Sequence, residues 1–217
     1  MTFAVIFDMD GVLIDSTIAI QAIIKKVSME YGLDLSPEEV LESTHLPFQV
    51  YVENWNAQHN RTIDAREVIQ KYEVKEKEYL KTHSLLTNGI LPFLNDLRAN
   101  NVLLAVATSS PRSRLNSILS MYALSPFFDV TISIDDVSRG KPHPDPYLKA
   151  AELLKILPSH CVGIEDTLTG INSVLSAGMK AIGFAQNGES RKALASADLV
   201  IGNFSELSVE KLSKLVH

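Results

Sequence analysis

Short apolar runs recur along the chain and alternate with longer stretches of helical periodicity. A short apolar run bounded by polar residues is typical of a strand buried on both faces of a sheet. Runs of this kind predict strands at Phe3–Phe7, Leu103–Ala107, Val130–Ile134, Cys161–Ile164, Ala181–Phe184 and Leu199–Ile201. Because helical patterns lie between most of these strands, the sequence predicts an α/β fold with a parallel sheet covered on both faces.

The stretch after the second strand shows how one of these helices is predicted. Its apolar residues recur at helical spacing and share one face: Leu115, Ile118, Leu119 and Tyr122. Ser110 is expected to cap this helix, with Pro111 at its first position.

The interval between the first two strands is too long for an ordinary connection between a strand and a helix. Residues 16–87 contain no clear strand pattern. Ser36–Glu39 is a capping-box pattern that predicts the start of a helix, the second of three predicted in this interval. Asp64 marks the predicted start of the third. The first helix is marked by Ile20, Ile23, Ile24, Val27 and Tyr31. We expect an all-helical domain at 16–87, inserted into a core made of 1–15 and 88–217.

Composition and charge narrow the class of protein. A hydrophobic content of 46% and a charged content of 21% are those of an ordinary globular chain. The net charge of −6 argues against sequence-independent binding of nucleic acid, which needs a basic face. Cys161 is the one cysteine, so no internal disulfide is possible, and we expect a buried thiol and a cytoplasmic protein. Neither a signal peptide nor a membrane-spanning run is evident.

Four separated segments carry polar residues suited to phosphate chemistry. Asp8-Met9-Asp10-Gly11 follows the first strand, Thr108-Ser109-Ser110 follows the second, and Glu165-Asp166 follows the fourth. Lys141-Pro142 supplies a cation. Ligands of open parallel sheets bind outside the carboxyl ends of the strands, so these segments are expected to meet there. Carboxylates, a hydroxyl and a lysine together predict a metal-assisted phosphoryl-transfer site.

The same segments resemble, in order, the motifs of the haloacid dehalogenase-like hydrolases. The similarity is to the branch with β-phosphoglucomutase-like and phosphoglycolate phosphatase-like enzymes, and it covers nearly the whole chain. The matching segments are Asp8–Ser16, Thr108, Lys141–Tyr147, Glu165-Asp166 and Ala177–Met179. The resemblance implies a Rossmann-like core with a helical cap inserted after the first strand, where residues 16–87 lie.

The resemblance also implies roles for the catalytic residues. Asp8 would attack phosphorus and form an aspartyl-phosphate. Asp10 would protonate the leaving oxygen and then deprotonate the attacking water. An aspartate at this position points to phosphatases and phosphomutases, because dehalogenases lack it and transport ATPases carry threonine. Lys141 would neutralise charge on the transferring phosphoryl group.

An Mg²⁺ ion is the expected cofactor. Asp8 and Asp166 would bind it directly, Glu165 directly or through water, and Asp10 through its backbone carbonyl. The alternative for Asp166 is that it caps a helix at Leu168–Ala177. Crowded carboxylates are costly without a cation, and this favours the metal.

The substrate contacts are expected on both parts of the chain. The hydroxyl of Thr108 and the amides of Ser109 and Ser110 would face the phosphate at a helix N-terminus. His45 falls where similar enzymes place residues that contact the substrate. The segment 42–49 has no arginine, whereas β-phosphoglucomutase-like chains commonly carry one there.

We therefore expect a Mg²⁺-dependent phosphatase that hydrolyses a small phosphorylated metabolite, such as a sugar phosphate, through an aspartyl-phosphate. The first alternative is a β-phosphoglucomutase-like hexose-phosphate mutase, and the second is a non-catalytic protein that binds a phosphometabolite. The expected partner is the small metabolite, with no nucleic acid and no membrane, and the protein is expected to be a monomer or weak homodimer.

Overall fold

A computed structural model describes residues 2–44, 48–83, 85–185 and 188–216, except the side chains of residues 44, 48 and 188–190. The chain divides into two compact units. The core unit comprises Met1–Ile14 and Leu86–His217, and the helical unit comprises Asp15–Leu85. These boundaries differ by one or two residues from the domain limits expected from the sequence.

Strands and helices alternate along the core unit. Within the described residues the strands are β1 (Ala4–Phe7), β2 (Leu103–Ala107), β3 (Val130–Ile132), β4 (Cys161–Glu165), β5 (Lys180–Phe184) and β6 (Leu199–Ile201). The helices are α1 (Thr17–Glu30), α2 (Pro37–Thr44), α3 (Phe48–His59), α4 (Ala65–Leu80), α5 (Ile90–Ala99), α6 (Arg112–Met121), α7 (Asp145–Leu154), α8 (Leu168–Ser176), α9 (Gly188–Ala193) and α10 (Val209–Val216).

The strands form one parallel sheet in the order β3-β2-β1-β4-β5-β6. Strand β1 lies between β2 and β4, and Phe7 is aligned with Val106 on one side and Ile164 on the other. The predicted α/β fold with a Rossmann-like parallel sheet is confirmed. This order brings the residues that follow β1, β2 and β4 to one edge of the sheet.

Both faces of the sheet are covered. Ala4 and Ile6 of β1 belong to a buried cluster that includes Tyr147 of α7 and Ile171 of α8. Successive side chains of a strand point to opposite faces. The ring of Phe7 accordingly packs on the face opposite to Ile6, with its centroid 6.1 Å from that of the Phe93 ring in α5. β1 is therefore buried from both sides, which explains its unbroken apolar sequence.

Strand β3 is shorter than predicted, because the chain turns after Ile132. Ser133 forms a capping box with Asp136: its backbone amide and its hydroxyl both donate to the Asp136 carboxylate. This turn takes up Ile134, which the sequence pattern placed in the strand. The apolar side chain of Ile134 suggested a longer strand, because the polar contacts between Ser133 and Asp136 that end it could not be recognised from the sequence.

Among the described residues of the helical unit there are four helices, one more than the three predicted. The capping box at α2 is confirmed, since the Ser36 amide donates to Glu39 and the Glu39 amide donates to the Ser36 hydroxyl. Asp64 caps α4 as predicted, accepting from the Arg66 amide over 2.8 Å. The additional helix is α3, whose residue Trp55 is buried among residues of α1 and α4.

No helix in the described part of the chain combines the length and the apolar character needed to cross a membrane. The Cys161 thiol is buried as predicted, and burial raises its pKa to about 12.

Candidate active site

The carboxyl ends of β1 and β4 bring three predicted site residues together. Asp8 directly follows β1, and its amide donates to the Ile164 carbonyl over 2.9 Å. Glu165 is the last residue of β4, and Asp166 follows it. One carboxylate oxygen from each of Asp8, Glu165 and Asp166 lies within 4.8 Å of the others. We call these three residues the acidic cluster.

Lys141 contacts two members of the acidic cluster. Its Nζ atom lies 2.5 Å from Asp8 Oδ1 and 2.5 Å from Glu165 Oε1, and its side chain is only 6% exposed. Burial opposes the charge on Lys141, but attraction by Asp8 and Glu165 outweighs this effect and raises the pKa of the lysine. Lys141 therefore remains a cation, with its charge directed at the Asp8 carboxylate.

The acidic cluster carries more negative charge than Lys141 balances. Burial is the main cause that raises the pKa of Asp8 to about 7; Lys141 lowers it, while Glu165 and Asp10 add to the rise. Burial, followed by the charges of Asp8 and Glu165, raises the pKa of Asp166 well above its ordinary value. Burial and mutual repulsion thus oppose ionisation of these carboxylates beyond what Lys141 offsets, and a further cation would favour their charged forms. A set of oxygen ligands suits a hard divalent cation, so the acidic cluster fits a divalent metal.

Two glycines make room for the acidic cluster. Gly11 has a φ of +81°, and a Cβ atom there would lie 1.8 Å from Asp166 Oδ2. A Cβ atom on Gly170 in α8 would lie 1.9 Å from Glu165 Oε2. The positive φ of Gly11 is a backbone conformation that glycine adopts without strain. Both positions exclude any larger residue unless a carboxylate of the acidic cluster moves.

Tyr147 is a site residue to which the sequence assigned no role. Its hydroxyl donates to Glu165 Oε1 over 2.6 Å, and its ring lies beneath Lys141, with Nζ 5.3 Å from the ring centroid. Tyr147 is fully buried, so its hydroxyl fixes the Glu165 carboxylate from the protein interior. The signal in the sequence was its place in the segment Lys141–Tyr147, six residues after the lysine.

Asp10 has a cationic partner of its own. Arg114 Nη1 lies 2.5 Å from Asp10 Oδ2, and Arg114 Nη2 lies 2.8 Å from Asp10 Oδ1. We call this bidentate ion pair the Asp10 pair. The Ser110 hydroxyl joins it, donating to Asp10 Oδ2 over 3.2 Å and accepting from Arg114 Nη1 over 2.6 Å. Arg114 was not predicted, and its only signal is the helical spacing of four residues from Ser110.

The segment after β2 lies beside β1, as predicted, and makes local hydrogen bonds. Thr108 is buried, and its amide donates to the Ile132 carbonyl over 2.9 Å. Its hydroxyl accepts the Ser110 amide over 3.1 Å. Ser109 follows Thr108 directly and is exposed. The binding of phosphate by these residues stays a prediction.

The predicted cap of α6 is wrong, and the capping alternative considered for Asp166 is not observed. Pro111 is the N-cap of α6, and the Ser110 side chain makes no cap hydrogen bond because its hydroxyl is engaged with the Asp10 pair. Thr167, rather than Asp166, caps α8, and its hydroxyl accepts the Gly170 amide over 3.1 Å. Asp166 therefore does not cap α8, and its carboxylate belongs to the acidic cluster.

His45, predicted to contact the substrate, lies outside the described residues. Coordination through the Asp10 carbonyl also stays a prediction.

Comparison with known proteins identifies the family. The model of the haloacid dehalogenase-like hydrolases matches residues 5–184. The β-phosphoglucomutase of Bacillus subtilis (strain 168) is 30% identical, with 96% of this chain and 93% of that protein covered. Hexitol phosphatase B of Escherichia coli (strain K12) is also 30% identical, with 96% of each chain covered.

A solved structure shares the fold over the full length. The crystal structure of a HAD hydrolase, family IA, variant 3, from Entamoeba histolytica HM-1:IMSS has a TM-score of 0.87 and 29% identity. The match covers 100% of this chain and 99% of that chain. With the family model matched over most of its length, the chain belongs to the haloacid dehalogenase-like hydrolases.

Proposed function

We propose that the protein is a Mg²⁺-dependent phosphatase that hydrolyses a small phosphorylated metabolite through an aspartyl-phosphate on Asp8. The observation that carries the proposal is the contact of Asp8 with a buried lysine inside the acidic cluster, next to an independently paired Asp10. A nucleophile, a cation and an acid–base group are thus supplied by side chains within one unit of the chain.

In the first step an oxygen of Asp8 forms a bond to phosphorus, and the bond from phosphorus to the substrate oxygen breaks. The leaving oxygen takes a proton from Asp10, which donates it in its protonated form and not as the carboxylate of the Asp10 pair. Lys141, 2.5 Å from Asp8 Oδ1, stabilises the negative charge that the phosphoryl group carries during transfer.

In the second step water attacks the phosphorus of the aspartyl-phosphate. Asp10 accepts a proton from this water, and the bond between phosphorus and the Asp8 oxygen breaks. The electron pair of that bond returns to the Asp8 carboxylate, so that the site is restored and inorganic phosphate is the product.

The acidic cluster would hold the Mg²⁺, with Asp8 and Asp166 as direct ligands and Glu165 bound directly or through water. When bound, the ion supplies positive charge that lowers the repulsion between a carboxylate nucleophile and an anionic phosphate. Tyr147 and Lys141 both donate to Glu165 Oε1, and the Thr167 hydroxyl donates to Glu165 Oε2 over 3.4 Å, so the orientation of this carboxylate is fixed by the chain itself.

The substrate class is a phosphorylated carbohydrate or a similarly small metabolite. Support comes from the relatives, which include a hexitol phosphatase and a β-phosphoglucomutase. The assignment of residues 16–87 as a cap domain and a cytoplasmic location are parts of the same proposal.

The test is release of inorganic phosphate by the purified protein from a panel of sugar, polyol and nucleotide monophosphates. We expect turnover in Mg²⁺, its loss in EDTA and its recovery when Mg²⁺ is restored in excess. Ca²⁺ is expected to replace Mg²⁺ poorly, because it favours more ligands and longer bonds. Full activity in EDTA would contradict the metal assignment, and no phosphate release from any compound would contradict the phosphatase assignment.

A mutase is the second candidate, because one relative is a β-phosphoglucomutase. A mutase must hold a second phosphate, and the segment 42–49 carries neither arginine nor lysine. We therefore expect free phosphate rather than glucose 6-phosphate from β-glucose 1-phosphate. Rapid formation of glucose 6-phosphate that depends on glucose 1,6-bisphosphate would favour the mutase. Binding of phosphometabolites without either product would favour a non-catalytic protein.

A further inference from the structure

We propose that Tyr147 is a positioning residue that holds the ammonium of Lys141 against the Asp8 carboxylate. This inference rests on the proposed phosphatase function and extends it to a side chain in the core of the protein. It is carried by two contacts of Tyr147: the ring lies against Lys141, and the hydroxyl binds the carboxylate of Glu165.

The hydroxyl of Tyr147 and the ammonium of Lys141 meet at one oxygen atom. Tyr147 donates to Glu165 Oε1 over 2.6 Å, and Lys141 Nζ lies 2.5 Å from the same oxygen. A carboxylate oxygen offers two lone pairs, so the hydroxyl takes one and directs the lysine to the other. The ammonium is thereby held where its Nζ atom also lies 2.5 Å from Asp8 Oδ1.

The ring of Tyr147 restricts the same ammonium from a second side. Lys141 Nζ lies 5.3 Å from the ring centroid, a distance at which the face of an aromatic ring attracts a cation. A lysine ammonium ends a flexible four-carbon chain, so its position depends on the groups around it. Tyr147 acts on this ammonium directly through its ring and indirectly through the Glu165 carboxylate that its hydroxyl holds.

The burial of Tyr147 indicates that its hydroxyl serves the site and not the core. The side chain is fully buried in an apolar cluster that includes Ile6 of β1 and Ile171 of α8. A phenylalanine would fill the same space, and a buried hydroxyl is unfavourable unless it is hydrogen-bonded. Glu165, itself only 1% exposed, accepts that hydrogen bond. The hydroxyl thus connects the apolar core to the acidic cluster.

The backbone near Lys141 is held by a different contact. The Ser173 hydroxyl donates to the His143 carbonyl over 2.6 Å, which joins the loop after Lys141 to α8. This contact acts on the backbone two residues from the lysine and not on its ammonium. Loss of the Tyr147 hydroxyl should therefore release the ammonium from its position while the loop stays in place.

Tyr147→Phe removes the hydroxyl and keeps the ring. For the monophosphate of the panel that is cleaved fastest, we expect kcat to fall about 10-fold and KM to change less than about 2-fold. The reason is that a displaced Lys141 stabilises the phosphoryl group less during its transfer than a fixed one. The loss should persist at saturating Mg²⁺. An unchanged kcat would overturn the inference, and so would a loss that excess Mg²⁺ removes, because the hydroxyl would then act on metal binding.

Tyr72→Phe is the matched control. Tyr72 is also buried, and its hydroxyl donates to a buried glutamate, Glu76, over 3.4 Å. The variant therefore removes the same atom from the same kind of contact, but in the helical unit. We expect its kcat to stay within about 2-fold of the wild-type value. A loss equal to that of Tyr147→Phe would overturn the inference, since the removal of any buried tyrosine hydroxyl would then suffice.

A measurement without substrate or metal separates this inference from the proposed function. In EDTA, the melting temperatures of Tyr147→Phe, Lys141→Met and the double variant should depart from additivity by about 2 °C or more, because both side chains bind Glu165 Oε1. Additive values would overturn the inference even in an active enzyme. If the wild-type protein releases phosphate from no compound, the proposed function fails, whereas non-additive melting temperatures would still show that Tyr147 positions Lys141.

Discussion

Asp8 and Asp10 lie two residues apart in the chain, yet their carboxylates meet different charges. Asp8 shares the single ammonium of Lys141 with Glu165, and Asp166 adds a further carboxylate. Asp10 accepts from both Nη atoms of Arg114 in a bidentate contact, and the Ser110 hydroxyl also accepts from Nη1. The acidic cluster is thus short of positive charge, whereas the Asp10 pair is balanced. The charges that surround each aspartate are therefore set by partners from distant segments and not by the local sequence.

The largest effect is expected from the nucleophile. Asp8→Asn removes the oxygen anion that attacks phosphorus and one of the expected metal ligands. We expect turnover to fall by about 1,000-fold or more without loss of the fold. Phosphate release and circular dichroism measure the two outcomes. Asp10→Asn is the companion variant, and near wild-type activity in Asp8→Asn would refute the assignment of the nucleophile.

A smaller effect is expected from a methyl group placed in the acidic cluster. In Gly11→Ala the new Cβ would lie 1.8 Å from Asp166 Oδ2, so that this carboxylate must move. We expect activity to fall about 10- to 100-fold, and the Mg²⁺ concentration for half-maximal activity to rise. Phosphate release over a Mg²⁺ titration is the measurement.

Gly178→Ala is the matched control for that change. Gly178 also has a positive φ, of +75°, but a Cβ atom there would meet nothing within 4 Å. Both variants carry the strain of a left-handed alanine, about 1–2 kcal/mol. A similar Mg²⁺ requirement in the two variants would show that strain, not displacement of Asp166, explains the loss.

The smallest effect concerns stability against pH. Burial raises the pKa of Asp8 from 3.8 to about 7 on folding, so the folded chain holds this proton more tightly than the unfolded chain. The resulting stability is fully present below about pH 4 and is lost as pH rises through about 7. The pKa of Asp166 is raised in the same direction.

In EDTA we therefore expect the free energy of unfolding to fall by about 1–3 kcal/mol between pH 5 and pH 8. Mg²⁺ should reduce this fall, because a bound cation favours the ionised carboxylates. Denaturant unfolding at the two pH values, with and without Mg²⁺, is the measurement. Asp8→Asn should show a weaker pH dependence in EDTA; an unchanged dependence would assign the effect to other groups.

The sequence was most informative where a single segment carries the signal. The apolar runs of β2 and β6 predicted those strands to the residue, and the motif segments predicted the residues of the acidic cluster. Helix α3 was missed because its buried residues, such as Tyr51 and Trp55, are separated by polar ones without a clear start signal.

The sequence patterns did not predict side-chain contacts between distant segments. Arg114 looks like an ordinary helical cation until α6 is placed against the residues that follow β1. Tyr147 looks like a core aromatic until its hydroxyl is seen on Glu165. In each case the decisive partner lies in another element, and only the sheet order brings the two together. Local periodicity contains no record of such a pairing.

One feature of the core unit affects how the chain can be re-engineered. Ile14 and Leu86 form an antiparallel bridge, and the Thr87 amide donates to the Leu13 carbonyl over 3.1 Å. The chain therefore leaves the core unit and returns to it at adjacent points, which we call the junction. The 71 residues from Asp15 to Leu85 are inserted there. We expect that a segment of different length or sequence inserted at this junction would leave strand order and register unchanged. The helical units of relatives could therefore be exchanged at this junction while the sheet of the core unit is kept.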